Sequence, residues 1–259
     1  MFSKVVNGHS IVDMTAFAFI TLLVSYNANM ESVRLCGGSR ITPQWILTAA
    51  HCLKDQSKVA VYTNVTDLNS DYWMDIQNTI CRPEKQCQWM DRILLHPNYS
   101  SLDYDIALLT SSSFHSHSES NLSLLNHHHV FEQFNMSLSI IGYGRLSEQN
   151  ETMSDTLQIG TVYLLDPHLF PEMKPYVNEH NFLAGNFNNE SDPLDNVDTC
   201  YGDSGSPILY QHSDTSFTIL GITSWGVGCA LDRYPGVYTK VSFFLSWIYE
   251  TIQTFAPSL

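Results

Sequence analysis

Three short segments, far apart in the chain, contain a histidine, an aspartate and a serine between small or apolar neighbours. They are Thr48-Ala49-Ala50-His51-Cys52, Asp105-Ile106-Ala107-Leu108-Leu109 and Gly202-Asp203-Ser204-Gly205-Ser206-Pro207. A serine hydroxyl is a weak nucleophile near neutral pH, so it needs a base that accepts its proton and an acid that orients that base. These residue types predict nucleophilic catalysis, with Ser204 as the nucleophile, His51 as the base and Asp105 as the orienting acid.

The stretches between these segments indicate β-structure. Short β-branched and aromatic stretches recur between polar turns, at 58–63, 106–109, 138–141, 161–165, 208–210, 217–222 and 236–241. Such spacing is typical of a β-barrel or sandwich. Apolar residues at helical spacing in 243–255 predict a closing amphipathic helix. No helical pattern is long enough for a bundle, so an all-β domain must position the three residues.

The flanks of His51 and Ser204 resemble the motifs of the trypsin-like serine proteases of the chymotrypsin family, and the resemblance covers nearly the whole chain from Val5 onward. It implies an all-β fold of two six-stranded antiparallel β-barrels with a C-terminal helix. The active site would lie in the cleft between the barrels, with His51 and Asp105 on the first barrel and Ser204 on the second.

The resemblance also predicts where the parts of the chain lie. The expected parts are a remnant of a propeptide or truncated precursor at 1–4, a peptidase domain at 5–259, a first barrel at roughly 20–110, a second barrel at roughly 130–240 and a C-terminal helix at roughly 243–255.

The glycines around Ser204 have a predicted role of their own. Gly202 and Gly205 permit a tight turn that aims two backbone N–H groups at one point. The resemblance assigns these donors to Gly202 and Ser204, as an oxyanion hole for a tetrahedral intermediate. It also assigns to Ser224 a hydrogen bond with Asp105.

The predicted specificity pocket centres on Asp198, six residues before Ser204. In the family that this chain resembles, an aspartate at this offset forms the floor of the primary pocket and selects arginine or lysine by charge pairing. Gly226 and Gly236 match positions where a larger side chain would block a long basic residue, and Ser224 completes the predicted substrate-binding set. The competing interpretation of Asp198 is an acid on a surface loop.

The amino-terminal motif Lys4-Val5-Val6-Asn7-Gly8 resembles the family's activation site. The resemblance implies cleavage after Lys4, which would free the α-amino group of Val5 to pair with Asp203. A buried carboxylate needs such a partner, because removing an unpaired charge from water is costly. We therefore expect a zymogen that becomes active only after this cleavage.

The apolar run at 16–24 has two interpretations. Nine residues are too few to span a bilayer, but they could form the core of a signal peptide with cleavage near Ala28. The resemblance places the first core strand here instead, at a suitable distance before Cys36-Gly37-Gly38, and we favour the strand. The natural precursor is then expected to be longer than this sequence, or the sequence to be truncated.

Six cysteines indicate an extracellular protein with three disulfide bonds, although spacing alone allows 15 connectivities. The resemblance selects Cys36–Cys52, beside the catalytic histidine, and Cys200–Cys229, between the walls of the specificity pocket. Cys81 and Cys87 remain, and we expect them to close a small local loop.

Six Asn-X-Ser/Thr sequons without proline agree with passage through the secretory pathway. They begin at Asn64, Asn98, Asn121, Asn135, Asn150 and Asn189. We therefore expect a secreted, extracellular glycoprotein.

The formal net charge of −14, from 26 acidic and 12 basic residues, argues against binding of nucleic acid or of a membrane surface. The expected partners are protein or peptide substrates with Arg or Lys before the cut and protein serine-protease inhibitors, and the expected state is a monomer without a cofactor. We expect no metal, because the histidines between 115 and 129 share one loop and adjacent histidines seldom converge on one tetrahedral centre.

The sequence thus predicts a secreted serine endopeptidase, made as a zymogen, that hydrolyses peptide bonds after Arg or Lys through an acyl-enzyme. Two alternatives stay open. A catalytically inactive homologue would use the same cleft for binding, which the complete set of three catalytic residues disfavours. An esterase of another fold would carry the motif Gly-X-Ser-X-Gly, which Gly202-Asp203-Ser204-Gly205 does not complete.

Overall fold

A computed structural model describes residues 5–6, 8–11, 13–30, 33–112, 124–125, 133–145, 147, 153–187, 196–213, 216–231 and 233–255. Within them the strands are β1 (His9–Ser10), β2 (Ile20–Tyr26), β3 (Val33–Thr42), β4 (Trp45–Thr48), β5 (Lys58–Thr63), β6 (Cys87–Trp89), β7 (Arg92–Leu95), β8 (Ala107–Thr110), β9 (Leu124–Leu125), β10 (Ser137–Gly142), β11 (Gln158–Leu165), β12 (Asn181–Gly185), β13 (Pro207–Gln211), β14 (Phe217–Trp225) and β15 (Gly236–Lys240). The α-helices are α1 (Ser70–Gln77) and α2 (Leu245–Phe255), and 3-10 helices cover Thr15–Phe17, Ala50–Cys52, Pro83–Lys85, Pro167–Leu169, Lys174–Tyr176 and Val241–Phe244.

The C-terminal sheet closes into an antiparallel barrel of six strands. Its order is β11-β10-β13-β14-β15-β12, and β12 pairs again with β11. In β11, burial alternates with the two-residue period of a strand, so one face lies against the core. Buried apolar side chains fill this core, among them Leu138, Ile140, Val162, Leu220 and Tyr238.

The N-terminal sheet is curled and has the order β6-β5-β2-β3-β4-β8-β7. Its two ends come from one stretch of chain that bends at Met90 and Asp91. The N–H of Met90 donates to Val59 of β5, and that of Asp91 donates to Thr110 of β8. The bend divides this stretch into two strands. β6 pairs with β5 at one end of the sheet, and β7 pairs with β8 at the other end. The expected all-β fold is confirmed, with this sheet as a curled half-barrel of seven strands in place of a closed barrel of six.

The apolar run at 16–24 contributes a core strand. It begins with the 3-10 turn Thr15–Phe17 and continues into β2, whose seven residues are all buried. Because β2 lies between β3 and β5, both of its edges are hydrogen-bonded. The strand interpretation of this run is confirmed.

The last element that the structure describes is the amphipathic helix α2, preceded by the 3-10 turn Val241–Phe244. Phe244 and Ile248 are buried, and the rings of Phe244 and Trp247 contact His96 at centroid distances of 5.3 and 4.9 Å. Because His96 directly follows β7, these contacts attach the helix to the N-terminal half of the chain. Of the helices in the described ranges, none has the length and apolar character needed to cross a membrane.

All three expected disulfide bonds are present. Cys36–Cys52 joins β3 to the 3-10 turn that carries His51, and Cys81–Cys87 closes a short loop before β6. Cys200–Cys229 joins the segment before Ser204 to the loop after β14.

Candidate active site

Strand pairing brings His51 and Asp105 together. His51 lies in the turn just after β4 and Asp105 lies just before β8, and these antiparallel strands pair Thr48 with Ala107. The His51 Nδ1 atom lies 2.7 Å from Asp105 Oδ2, and the backbone N–H of His51 donates to Asp105 Oδ1 at 2.8 Å. Both carboxylate oxygens therefore contact the same residue, which fixes the orientation of the imidazole.

The C-terminal barrel supplies two more hydrogen bonds to Asp105. Ser224 Oγ donates to Asp105 Oδ2 at 2.6 Å, as the sequence predicted, and Thr239 Oγ1 donates to the carbonyl oxygen of Asp105 at 2.9 Å. Asp105 is 3% exposed, so these bonds lie in a dry environment where they are strong. The role of Thr239 was not predicted, because it lies 134 positions from Asp105 and belongs to no motif.

Ser204 occupies a tight turn whose glycines have backbone angles that L side chains rarely adopt. Gly202 has φ of 98° and Gly205 has φ of 80°, and a Cβ on Gly205 would lie 2.5 Å from the carbonyl oxygen of Gly37. The N–H of Gly37 in turn donates to the Ser204 carbonyl at 2.7 Å, which joins the turn to β3.

Ser204 and His51 line one cavity at the junction of the two sheets. Within the described residues, no hydrogen bond joins Ser204 Oγ to His51, and the His51 Nε2 atom lies 3.8 Å from Cys52 Sγ. Hydrogen bonds between catalytic groups are often long in unliganded enzymes and shorten when substrate binds. Both side chains therefore face the same cavity.

The turn leaves two amide groups available at the predicted oxyanion hole. The N–H groups of Asp203, Gly205 and Ser206 donate to the carbonyls of Cys200, Thr223 and Asp203. In the described part of the chain, the amides of Gly202 and Ser204 donate to no other group. These two donors, on alternate residues of a tight turn, can bind a developing negative charge.

Asp203 is a buried carboxylate behind the turn. Its side chain accepts hydrogen bonds from the amides of Gly144 at 2.8 Å and Cys200 at 3.0 Å. Desolvation by burial raises the pKa of Asp203 to about 6, although both hydrogen bonds act in the opposite direction. A Cβ on Gly144 would lie 2.4 Å from the carboxylate, so glycine is needed for this close approach.

Val5 is buried in the C-terminal barrel, close to the same region. Its side chain belongs to the apolar cluster of Ile140 and Val197, and Val6 forms a β-bridge with Asp198. No hydrogen bond joins Val5 to Asp203 in the part of the chain that is described. Lys4, the third residue of the predicted activation site, lies outside that part.

The cavity has a volume of about 360 Å³ and extends from His51 and Ser204 to Asp198. Asp198 is 2% exposed, and its carboxylate accepts hydrogen bonds from the amides of Thr199 at 2.8 Å and Ala230 at 3.0 Å. Desolvation by burial raises the pKa of Asp198 to about 7, and the nearby charge of Asp203 acts in the same direction. Asp198 is thus a cavity residue and not an acid on a surface loop.

The two predicted pocket glycines also line this cavity. A Cβ on Gly236 would lie 3.1 Å from both the Asp198 carboxylate and the Tyr238 hydroxyl oxygen. A Cβ on Gly226 would meet only the carbonyl of Gly228 at 3.6 Å, so a larger side chain there would extend into open cavity. Both glycines keep the path to Asp198 clear.

Two further polar groups near Asp198, at the floor of the cavity, were not predicted from the sequence. The hydroxyls of Thr199 and Tyr238 lie 3.4 Å apart, next to Asp198. Residue alternation in β15 was the available signal, because Tyr238 points to the same face as Gly236. At the cavity rim, Tyr201 is 56% exposed, and the guanidinium carbon of Arg145 lies 5.1 Å from the centroid of its ring.

The remaining predicted sites are distributed as follows. The sequon residues Asn64, Asn98 and Asn135 are exposed, and Asn121, Asn150 and Asn189 lie outside the described residues, as do the histidines between 115 and 129.

Among the described residues, one group of possible metal ligands lies together: Cys36, His51 and Cys52. Because the two sulfurs form a disulfide, they are not available as thiolate ligands.

Comparison with known proteins agrees with this geometry. Residues 16–248 match the family model described as Trypsin. The chain is 34% identical to the urokinase-type plasminogen activator of Gallus gallus over 223 residues, which cover 83% of this chain and 50% of that protein. It is 30% identical to a trypsin of Xenopus laevis over 236 residues, which cover 89% of this chain and 85% of that protein.

The chain therefore belongs to the trypsin family of serine proteases, a class of hydrolases that act on proteins. It spans half the length of the urokinase-type plasminogen activator that it matches.

Proposed function

We propose that this protein is a secreted serine endopeptidase that is made as a zymogen and cuts peptide bonds after Arg or Lys through an acyl-enzyme. One observation carries the proposal: the hydrogen-bonded pair of His51 and Asp105 lies at one end of a cavity whose other end is the buried carboxylate of Asp198.

The chemistry follows from the arrangement of the three catalytic groups. His51 takes the proton of the Ser204 hydroxyl as its oxygen attacks the substrate carbonyl, and the amides of Gly202 and Ser204 bind the resulting oxyanion. His51 then gives the proton to the leaving amine, which leaves an ester on Ser204. A water molecule, deprotonated by His51, hydrolyses this ester. Asp105 stabilises the imidazolium in both steps.

Specificity for a basic residue follows from charge and space. An unpaired carboxylate in a desolvated cavity is costly, and a guanidinium or ammonium group bound beside it removes that cost. The backbone amides of Thr199 and Ala230 already orient the Asp198 oxygens. Gly226 and Gly236 leave a passage long enough for the stem of Arg or Lys.

The direct test is incubation of the activated protein with an arginyl amide substrate and measurement of amide hydrolysis. We expect turnover that a serine-directed phosphonylating reagent stops. Absence of turnover in protein with a free amino group on Val5 would favour the inactive homologue, which would bind peptides in the same cavity.

The affinity for a cationic ligand should depend on pH. A bound cation favours ionised Asp198, so binding below the pKa of about 7 must release a proton. We expect the affinity for benzamidine, an aryl amidine, to fall as the pH decreases below 7, by up to about tenfold per pH unit. Calorimetric titration from pH 5.5 to 8.5 measures both the affinity and the proton release. A constant affinity across this range would contradict the proposed role of Asp198.

Zymogen control is supported by the surroundings of Asp203. This carboxylate is fully buried, with two amide donors and no ion pair in the described part of the chain. A free amino group on Val5 would supply the missing positive charge. Its pairing with Asp203 would fix the turn that carries the oxyanion donors, because Asp203 lies between Gly202 and Ser204.

Protein that begins at Met1 should be nearly inactive, and cleavage between Lys4 and Val5 should activate it. Lys4→Gln should prevent activation by a protease that cuts after basic residues. The activated enzyme should lose activity again as the pH rises through the pKa of the Val5 amine, which ion pairing raises above its ordinary value of about 8. N-terminal sequencing of the active species, with the variant in parallel, checks this. Full activity in uncleaved Lys4→Gln protein would contradict the switch.

Secretion is supported by the three disulfide bonds and by the exposure of the sequon residues in the described part of the chain. We propose glycans at these asparagines and, outside the described residues, at Asn121, Asn150 and Asn189. We also propose that the enzyme is a monomer whose open cleft accepts protein serine-protease inhibitors.

A further inference from the structure

The position of the disulfide Cys36–Cys52 indicates where a substrate continues after the cut. Under the proposed function, His51 Nε2 gives its proton to the leaving amine, so that amine must lie next to this atom. The Cys52 Sγ atom is 3.8 Å from His51 Nε2 and 3.6 Å from the carbonyl oxygen of Ser204. The residue before the cut enters the cavity toward Asp198, so the residues after the cut pass over the disulfide on the opposite side.

A first guanidinium lies beside this disulfide. Arg34 belongs to β3, two residues before Cys36, and its side chain is exposed. Its Nη1 atom donates a hydrogen bond to the carbonyl oxygen of His51. The guanidinium has five N–H donors in a planar fork, so this bond orients the group and leaves donors for a ligand.

A second guanidinium lies next to the oxyanion turn. The backbone N–H of Arg145 donates to the carbonyl of Tyr201 at 2.7 Å, and its guanidinium carbon lies 5.1 Å from the centroid of the Tyr201 ring. Tyr201 directly precedes Gly202, whose amide is a proposed oxyanion donor. The cation–π contact therefore positions a positive charge beside Tyr201, which lines the cavity.

These charges stand out on a chain with a formal net charge of −14. In the described part of the chain, the arginines that form ion pairs are Arg82, with Asp75, and Arg233, with Glu172. Neither Arg34 nor Arg145 is paired with a carboxylate there. A substrate carboxylate could form an ion pair with either guanidinium group, because guanidinium and carboxylate match in charge and in geometry.

We propose that the enzyme prefers substrates with an acidic side chain among the first three residues after the cut, bound by Arg34 and Arg145. This inference rests on the proposed function, because it needs a substrate that reacts at Ser204. The exposed Lys54, in the loop after Cys52, adds positive charge to the same side, and its neighbour Asp55 offsets part of it.

The test uses internally quenched peptides that are identical up to an arginine and differ after it. Each of the three following positions carries Asp, Ser or Lys in turn. We expect kcat/KM to be about fivefold higher for Asp than for Ser in at least one position, and lower for Lys than for Ser. The expected effect is modest because the ion pairs between the substrate carboxylate and the arginines are exposed to solvent. The preference should shrink in 0.5 M NaCl, which screens such charges.

Variants assign the preference to the two arginines. The ratio of kcat/KM for the Asp and Lys peptides should fall toward one in Arg34→Gln and Arg145→Gln, and Arg34→Lys should retain part of it. Arg233→Gln, which removes an exposed arginine elsewhere, is the matched control and should keep the full ratio.

An arginyl anilide, which has no residue after the cut, separates the two levels of the proposal. Without anilide turnover by the parent enzyme, the proposed function itself fails. Normal anilide turnover with equal rates for the Asp and Lys peptides would overturn this inference alone. An unchanged ratio in both glutamine variants would also overturn it.

Discussion

Replacing Ser204 by alanine should abolish acyl-enzyme formation and leave the fold intact. The side chain is partly exposed at the cavity, and its hydroxyl makes no hydrogen bond within the described residues, so removing it costs the folded state little. Loss of the nucleophile removes the covalent route, and we expect kcat to fall by about 10⁶-fold, as for serine proteases that lose one member of the catalytic set. Burst kinetics with an active-site titrant, with circular dichroism as the control for folding, measure both effects.

His51→Ala should be nearly as damaging, and the double variant should be no worse than either single one, because the two residues act as a unit. Residual activity of Ser204→Ala within tenfold of the parent would show that another residue is the nucleophile.

Asp198→Ser should remove the preference for basic residues. The substrate cation would enter a desolvated cavity without a carboxylate, which costs about 3 to 5 kcal/mol, or about 10²- to 10⁴-fold in kcat/KM. Cleavage after large apolar residues should stay weak but measurable, because the cavity keeps its volume. Matched arginyl and phenylalanyl peptides give the two rates.

Asp55→Asn is the control for loss of negative charge near the cleft. Asp55 is exposed and has φ of 62°, an angle that asparagine tolerates, so arginyl turnover should change by less than about twofold. Arginyl turnover that survives in Asp198→Ser would show that another acid selects the substrate.

The sequence predicted the fold well where hydrophobic pattern and turn residues agreed. The β-branched stretches at 58–63 and 161–165 became β5 and most of β11, because runs of β-branched and aromatic residues favour strands. Burial alternates along β11, and the four central residues of β5 are all buried. The curl of the N-terminal sheet was not predictable in this way. It depends on the bend at Met90 and Asp91, where hydrogen bonds to two distant strands decide the path of the chain.

The motifs located the candidate site because they contain the glycines whose backbone angles the turn at Ser204 requires. Gly202 and Gly205 have positive φ, and the segment from Asp198 to Ser204 carries both the pocket carboxylate and the turn. The contacts of Thr239 with Asp105 and of Arg145 with Tyr201 were missed. Each contact joins a residue of a motif to a partner more than 50 positions away that belongs to no motif, so only the assembled sheets bring them together.

The most direct test of the central claim is to map the bonds that the activated enzyme cuts in a mixture of denatured proteins, by mass spectrometry of the new termini, with Ser204→Ala in parallel. We predict that nearly all new C-termini are arginine or lysine in the sample treated with the parent enzyme, and that these termini are absent from the sample treated with the variant. Cuts after other residues, or the same cuts made by Ser204→Ala protein, would contradict the account.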